Sequence, residues 1–544
     1  MRLNGLSPNN ANELAPKNTG RVWMPCIAVL LATVAAGLLM STPARAQDWA
    51  AHGFDSSNSA FSPFEWAISP WSVGQLKPKW TFTTGGDVSA RAAVVNGVVY
   101  FPDWGGNLWA LDARTGKEIW GNQLSTYVTG LGPVVARATP TIDHGVLYIG
   151  TQQNGWFLAI NAANGKLIWK TRLDTTAYAI VTTSAVVVNG VVYTGVANTQ
   201  ESNIAGAPGT AKGSVVALDA RTGNILWQTF TTVSGYSGVG VWGSSPVVDL
   251  QRGTLYIGTG DNYTSPTDPN YLSCISGGGT AATCQSPNNQ VDSILALDIR
   301  NGKIKWSYKA VNWDQPGVTN GSDFFNLSCL YDLYPPYDTP GCPKPQGPDY
   351  DFGQGPSEIT YWGPWGPRQI IGAGQKSGIY YAFDPDSGAL LWQTQVGPGS
   401  SLGGMEWGSA TDGQRIYVAI TNYYGIPWAA GPAGGWAALD PATGKILWTA
   451  GDPNGSNALG PVTVANGVVF VPSMGGTKTN PNMLALDAAT GKTLWSYPAG
   501  SSVIAGATVV NGVVYWGSGY SHLGALLPQF TGGNTFYAFS INGN

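Results

Sequence analysis

Short runs of β-branched and aromatic residues alternate with Gly, Asn, Asp and Thr along almost the whole chain, and the runs come in pairs. One pair reads Val-Val-Asn-Gly-Val-Val-Tyr, at 94–100, 187–193 and 509–515. Asn-Gly between two such runs predicts a tight β-hairpin, because both turn residues must take positive φ. Related hairpins are predicted around Gly145, Gly253, Gly413 and Gly467, with a variant at Gly366-Pro367-Arg368. The other pair reads Ala-Leu-Asp-x-x-Thr-Gly-Lys-x-x-Trp, as from Ala110 to Trp120. Further copies end at Trp169, Trp227, Trp306, Trp392, Trp448 and Trp495, and Leu76–Trp80 is a partial one. In this phrase Asp caps the turn, Gly supplies the positive φ, and Lys-x-x-Trp opens the next strand.

Such repetition decides the architecture before any local detail. Two hairpins make four antiparallel strands, the content of one propeller blade. Eight first hairpins and seven complete second ones predict an all-β, eight-bladed β-propeller whose repeated Trp residues pack between blades as scaffold. The last repeat has a third strand over 535–541. Its fourth is expected from Leu76–Thr83, which closes the ring and removes an open sheet edge. The two longest Trp-to-Trp intervals hold insertions, about 262–290 and 311–350. The first is rich in Ser, Gly, Thr, Asn and Pro and reads as a loop. The second carries Phe324, Phe325, Tyr331, Tyr334 and Tyr337 among prolines. Long loops in a compact fold are commonly functional, and an aromatic lid over one end of the ring is expected.

With 74 Gly, 23 Trp and only 11% charged residues, the composition suits a turn-rich all-β protein. A net charge of −4 gives no ground for a nucleic-acid partner. Lys17 and Arg21, an apolar run over about 27–40, and Ala44-Arg45-Ala46 follow the charged, apolar, small-residue order of a secretory signal peptide. Cleavage after Ala46 is expected, leaving 47–544 as a single propeller domain in the periplasm with no transmembrane segment. Four cysteines then remain, Cys274, Cys284, Cys329 and Cys342, and an even number in an exported chain reads as disulfides. Three connectivities are open, and close spacing favours Cys274–Cys284 with Cys329–Cys342. The sequence has no Cys-x-x-Cys-His, so it encodes no covalent haem.

A propeller's central channel is lined by residues just before a blade's first strand or just after its second. Those positions carry Arg91, Arg137, Thr183, Ser184, Glu201, Trp242, Asp261, Lys376 and Glu406. Two arginines and a lysine suit an anion, and the carboxylates suit a hard cation. A small acidic cofactor accompanied by a metal ion satisfies both.

The Trp phrase resembles the tryptophan-docking motif of quinoprotein dehydrogenases, eight-bladed propellers holding pyrroloquinoline quinone (PQQ) and Ca²⁺. Gly240-Val241-Trp242-Gly243-Ser244 is similar to the segment that places a Trp under the quinone. Gly258-Thr259-Gly260-Asp261 resembles a Gly-Thr-Gly-Asn whose Asn binds calcium, with Asp standing here instead. The stretch 195–201 resembles one ending in a calcium-binding Glu. Gln375-Lys376-Ser377-Gly378 sits where the family has Asn-Arg-x-Gly, and Gly403-Gly404-Met405-Glu406-Trp407 resembles Gly-Gly-x-Asn-Trp. The likeness covers about 70–541 and is nearest to the polyvinyl-alcohol dehydrogenase branch, without its cytochrome domain.

This resemblance implies an alcohol dehydrogenase in which Glu201 and Asp261 hold Ca²⁺. Arg91, Arg137, Thr183, Ser184, Trp242, Gly243, Lys376, Glu406 and Trp407 would contact the cofactor. The implied substrate is an alcohol, secondary or polymeric, and the implied acceptor is a separate soluble cytochrome c. Asp314 follows Trp313 as in the family's Trp-Asp base motif, but Gln315-Pro316-Gly317 then departs from the pattern, and Asp349 and Asp351 are rivals. The adjacent Cys-Cys pair that covers the cofactor in methanol dehydrogenase is absent. Two other readings stay open at this point. One is a non-catalytic propeller that binds proteins, as in outer-membrane assembly factors. The other is a hydrolase or lyase using calcium without quinone.

Overall fold

The computed structural model describes residues 48–128, 133–176, 178–201, 210–310, 324–325, 327, 342, 347–522, 527 and 529–544. Asp314, Cys329, Tyr331, Tyr334 and Tyr337 lie outside the described residues, as does the predicted signal peptide.

Eight sheets, each with four antiparallel blade strands, form the ring; in seven blades the four strands are consecutive, and two of the sheets carry an additional strand. The expected seam is present: Leu76–Thr83 pairs antiparallel with Thr535–Ile541, with Trp80 opposite Ala538. The Asn-Gly turns have the predicted geometry, with φ +51° at Asn96 and +76° at Gly97. Trp indoles link blade to blade. Trp80 donates to Ala113 O at 3.0 Å, Trp120 to Ala162 O at 2.9 Å, and the series runs on to Trp495 and Leu76 O at 3.0 Å. In four blades the hairpin Tyr donates to the same carbonyl as the Trp, as Tyr148 and Trp169 do at Ala220. The Gly of Thr-Gly-Lys therefore answers two demands. Gly116 has φ +69°, and a Cβ there would stand 2.6 Å from the Trp80 ring.

A strap that the sequence did not reveal runs around the base of the ring. Trp49 pairs with Val94, and Ile142 N–H donates to Ala50 O. Val248, Glu358 and Thr411 donate to Ser56 O, Ser57 O and Ser59 O. Phe61–Ser62 then lies parallel to Val464–Ala465, and Ser62 Oγ donates to Val509 O. The strap thus meets the innermost strands of the first, second, fourth, fifth, sixth, seventh and eighth blades in chain order.

The first insertion departs from the expected loop. It contains helices α1 (Pro269–Ser276) and α2 (Ala281–Cys284). Each has a local start signal that the Ser- and Gly-rich composition concealed. Asp268 caps Asn270 N–H ahead of a Pro at the first helical position, and Thr280 and Thr283 form a capping box. The Cys274–Cys284 disulfide joins the two helices as predicted. Cys342 is also disulfide-bonded. The two insertions meet, since Phe325 N–H donates to Asn262 O at 2.8 Å and Phe324 packs edge-on to Tyr271. Among the described residues no helix is long and apolar enough to cross a membrane.

Candidate active site

Three carboxylates from different parts of the chain converge. Glu201 ends a short 3₁₀ turn after the strand Val191–Asn198, Asp261 follows Thr254–Gly258, and Asp349 precedes Ser357–Gly363. One oxygen from each lies within 4.8 Å of the others. An all-oxygen anionic set of this kind suits a hard cation such as Ca²⁺. Asp261 Oδ2 also accepts from Phe325 N–H at 3.0 Å, which ties the second insertion to the cluster.

Lys376 stands beside this group, its Nζ 2.7 Å from Asp349 Oδ1 and 3.5 Å from Asp351 Oδ2. Burial works against the ammonium charge, but Asp349, Asp351, Glu406 and Glu201 outweigh it and hold Lys376 well above the usual lysine pKa. The same Nζ lies 5.0 Å over the Trp242 ring, and the Trp242 indole N–H donates to Asp351 Oδ2 at 2.7 Å. Trp407 meets Trp242 edge to face at 5.3 Å, and the Arg137 guanidinium stacks 4.1 Å over Trp407. Arg137 makes no hydrogen bond or ion pair among the described residues. Burial pushes the Glu406 carboxyl up to about 7, against the pull of Lys376 and Arg137. Glu406 Oε2 and Trp407 Nε1 are buried and have no protein partner among the described residues.

These groups surround a cavity of about 220 Å³ lined by Arg137, Glu201, Trp242, Asp349, Lys376, Glu406 and Trp407, with Phe325, Leu327, Tyr520 and His522 beside them. A smaller chamber of about 40 Å³ adjoins it and shares Arg137, Thr182, Trp407 and Tyr520. Arg91, Ser184 and His52 line that chamber. Arg91 is largely consumed by structure: it donates to His52 O at 2.6 Å, Val462 O at 3.0 Å and Thr463 Oγ1 at 2.9 Å, so it rivets the strap to the seventh blade.

Thr183 lines neither space, since its hydroxyl donates to Val241 O. In an extended segment alternate residues share a face, which puts Thr182 and Ser184 at the chamber and turns Thr183 away. Gly243 acts through its missing side chain, because a Cβ there would stand 2.7 Å from Gly353 O. From the sequence Asp349 stands out only as a candidate base, and nothing in it signals His52, Tyr520 or His522.

Indole-locked blades, a carboxylate cluster and an arginine facing one aromatic cavity define a propeller of the quinoprotein type. The PQQ_2 family, whose model is described as outer membrane protein assembly factor BamB, matches residues 71–270 and 375–532, and the chain belongs to that family. A polyvinylalcohol dehydrogenase of Sphingopyxis sp. (strain 113P3) is 27% identical over 92% of this chain and 77% of its own length. A 1-butanol dehydrogenase (cytochrome c) of Thauera butanivorans is 25% identical over 93% of this chain and 80% of its own. Among solved structures, quinohemoprotein alcohol dehydrogenase ADHIIG from Pseudomonas putida HK5 matches with a TM-score of 0.69 at 20% identity, over 92% of this chain and 81% of that one. At that identity the likeness speaks for the fold.

Proposed function

We propose that this chain is a PQQ-dependent alcohol dehydrogenase with a calcium-type cation at Glu201, Asp261 and Asp349. The observation that carries the reading is the content of one cavity: a guanidinium stacked on an indole, without an ion pair among the described residues, and a carboxylate cluster able to hold a cation. The residues fit the cofactor's chemistry. Arg137, with Ser184 and Thr182 nearby, suits its carboxylates. Trp242 and Trp407 offer aromatic walls, and Glu406 Oε2 and Trp407 Nε1 are buried polar atoms left for a ligand. Bound there, the quinone supplies the two-electron acceptor and the cation supplies Lewis acidity.

The chain's own residues orient the reactants and move a proton. Asp351 is a poor base, because both its oxygens already accept from N–H groups. Asp349 faces the cavity and is our choice to take the alcohol hydroxyl proton, on the oxygen opposite the one that Lys376 holds, with Glu201 and Asp261 then carrying the cation. Base assistance of this kind is worth roughly 10²–10⁴-fold. Asp314, first in line by sequence, lies outside the described residues. A secondary alcohol or polyol, polymeric chains included, is the substrate class we favour, with a separate cytochrome c as electron acceptor. The signal-peptide pattern over 1–46 supports export to the periplasm. Mass spectrometry of the exported protein should find Gln47 first.

Titration of metal-stripped protein with PQQ, with and without Ca²⁺, tests the reading. Calcium-dependent Trp quenching and dye reduction with secondary alcohols or polyvinyl alcohol are expected. The matched family description favours one rival, a protein-binding scaffold. Absence of quinone binding under both metal conditions would overturn the dehydrogenase reading.

A further inference from the structure

Asp351 touches three parts of the site at once. Its Oδ2 accepts from the Trp242 indole at 2.7 Å and lies 3.5 Å from Lys376 Nζ, while its Oδ1 accepts from Asp261 N–H at 2.7 Å. Its backbone carbonyl accepts from Lys376 N–H at 3.0 Å. The side chain is 1% exposed and rests on Gly260, where a Cβ would stand 2.7 Å from Oδ2. One residue therefore holds the backbone of a cluster carboxylate, the ring of the cavity wall and the shared ammonium.

We propose that Asp351 is a positioning residue that couples cation binding at Glu201, Asp261 and Asp349 to the setting of the Trp242 ring. The coupling rests on the reading of that cluster as a cation site. Lys376 is divided between Asp349 at 2.7 Å and Asp351 at 3.5 Å. A cation that engages Asp349 weakens its hold on Lys376 and shifts the ammonium towards Asp351, which carries the Trp242 hydrogen bond. Trp242 thus senses the ion through one shared ammonium and one carboxylate. Groups that orient ligating carboxylates typically change metal affinity by about 10–100-fold when removed.

The test uses full-length, metal-stripped, quinone-free protein titrated with Ca²⁺, with affinity read by calorimetry and coupling read by Trp emission. Asp351→Asn keeps the shape but removes the charge and one acceptor. It should bind Ca²⁺ about 10–100-fold more weakly, lose the Ca²⁺-induced emission change and keep its circular dichroism. Trp242→Phe removes the same hydrogen bond from the other end. It should also weaken Ca²⁺ binding, and the double variant should bind no more weakly than Asp351→Asn alone, the signature of coupled residues. Failure of the unaltered protein to bind Ca²⁺ would overturn the cation-site reading and the coupling with it. Normal Ca²⁺ binding by Asp351→Asn, or additive losses in the double variant, would overturn the coupling and leave the site intact. Should Asp351→Asn fail to fold, unchanged Ca²⁺ affinity in Trp242→Phe would overturn the coupling by itself.

Discussion

The Trp495 indole N–H donates to Leu76 O at 3.0 Å, joining residues 419 positions apart and tying the seventh blade to the strand that closes the ring. Both partners are buried, Trp495 at 8% and Leu76 at 4% exposure. Trp495→Phe should leave that carbonyl unsatisfied and cost about 1–3 kcal/mol. Trp448→Phe, which breaks the corresponding bond to Ala488 O, should cost about as much. Urea midpoints compare the two, and a much smaller loss at Trp495 would mean that the seam is open in solution.

Gly116 and Gly97 separate backbone strain from crowding. Both have positive φ, +69° and +76°, but only Gly116 faces a ring, whereas nothing lies within 4 Å of a Cβ at Gly97. Gly97→Ala should cost about 1–2 kcal/mol for its left-handed backbone. Gly116→Ala should add about 1–3 kcal/mol of overpacking against Trp80. Thermal unfolding of both variants checks the order.

Arg91 and Arg137 should fail in different ways. Arg137→Ala should weaken PQQ binding by about 10–100-fold, as expected for the loss of charge-assisted hydrogen bonds worth about 1.5–3 kcal/mol, and leave the melting temperature nearly unchanged. Arg91→Met should chiefly destabilise the fold, because three buried acceptors lose their donor. Fluorescence titration and calorimetry on the same samples distinguish the two outcomes.

Glu406 gives the cofactor-free protein a pH signature. Burial raises its pKa from 4.5 to about 7, so the stability that comes from its protonated carboxyl is complete below pH 4.5 and is lost as pH rises through 7. His52 acts in the opposite sense. Burial, followed by the Arg91 charge, lowers its pKa from 6.5 to about 3, so its neutral form stabilises the fold above 6.5 and that contribution fades as pH falls towards 3. Stability should therefore climb more steeply with pH in Glu406→Gln than in the unaltered protein between 4.5 and 6.5, by about one proton's worth of slope. Denaturant midpoints across that window measure it.

Hairpins, blade count and seam were legible in the sequence because each is written locally, in Asn-Gly turns and in a phrase repeated at every blade. The strap was not, since its bonds are mostly backbone to backbone and leave no residue signature. Helices α1 and α2 were hidden by a loop-like composition, although their capping residues Asp268 and Thr280 were in plain view. At the site, the residue types came from the chain and their convergence came from the fold. Asp349 joins Glu201 and Asp261 from well over a hundred and nearly ninety residues away, and Thr182 rather than Thr183 faces the chamber because a one-residue step reverses an extended side chain.

The strap and the seam also impose an order in time. Trp49 reaches its partner once the first blade exists, but Ser62 needs Val509, and Leu76–Thr83 must wait for Thr535–Ile541. The earliest-synthesised residues of the propeller are thus among the last to find their places. A chain emerging from the ribosome carries this unpaired beginning until almost its whole length has been made. Such late closure slows folding, since contacts distant in sequence must be brought together before they stabilise anything.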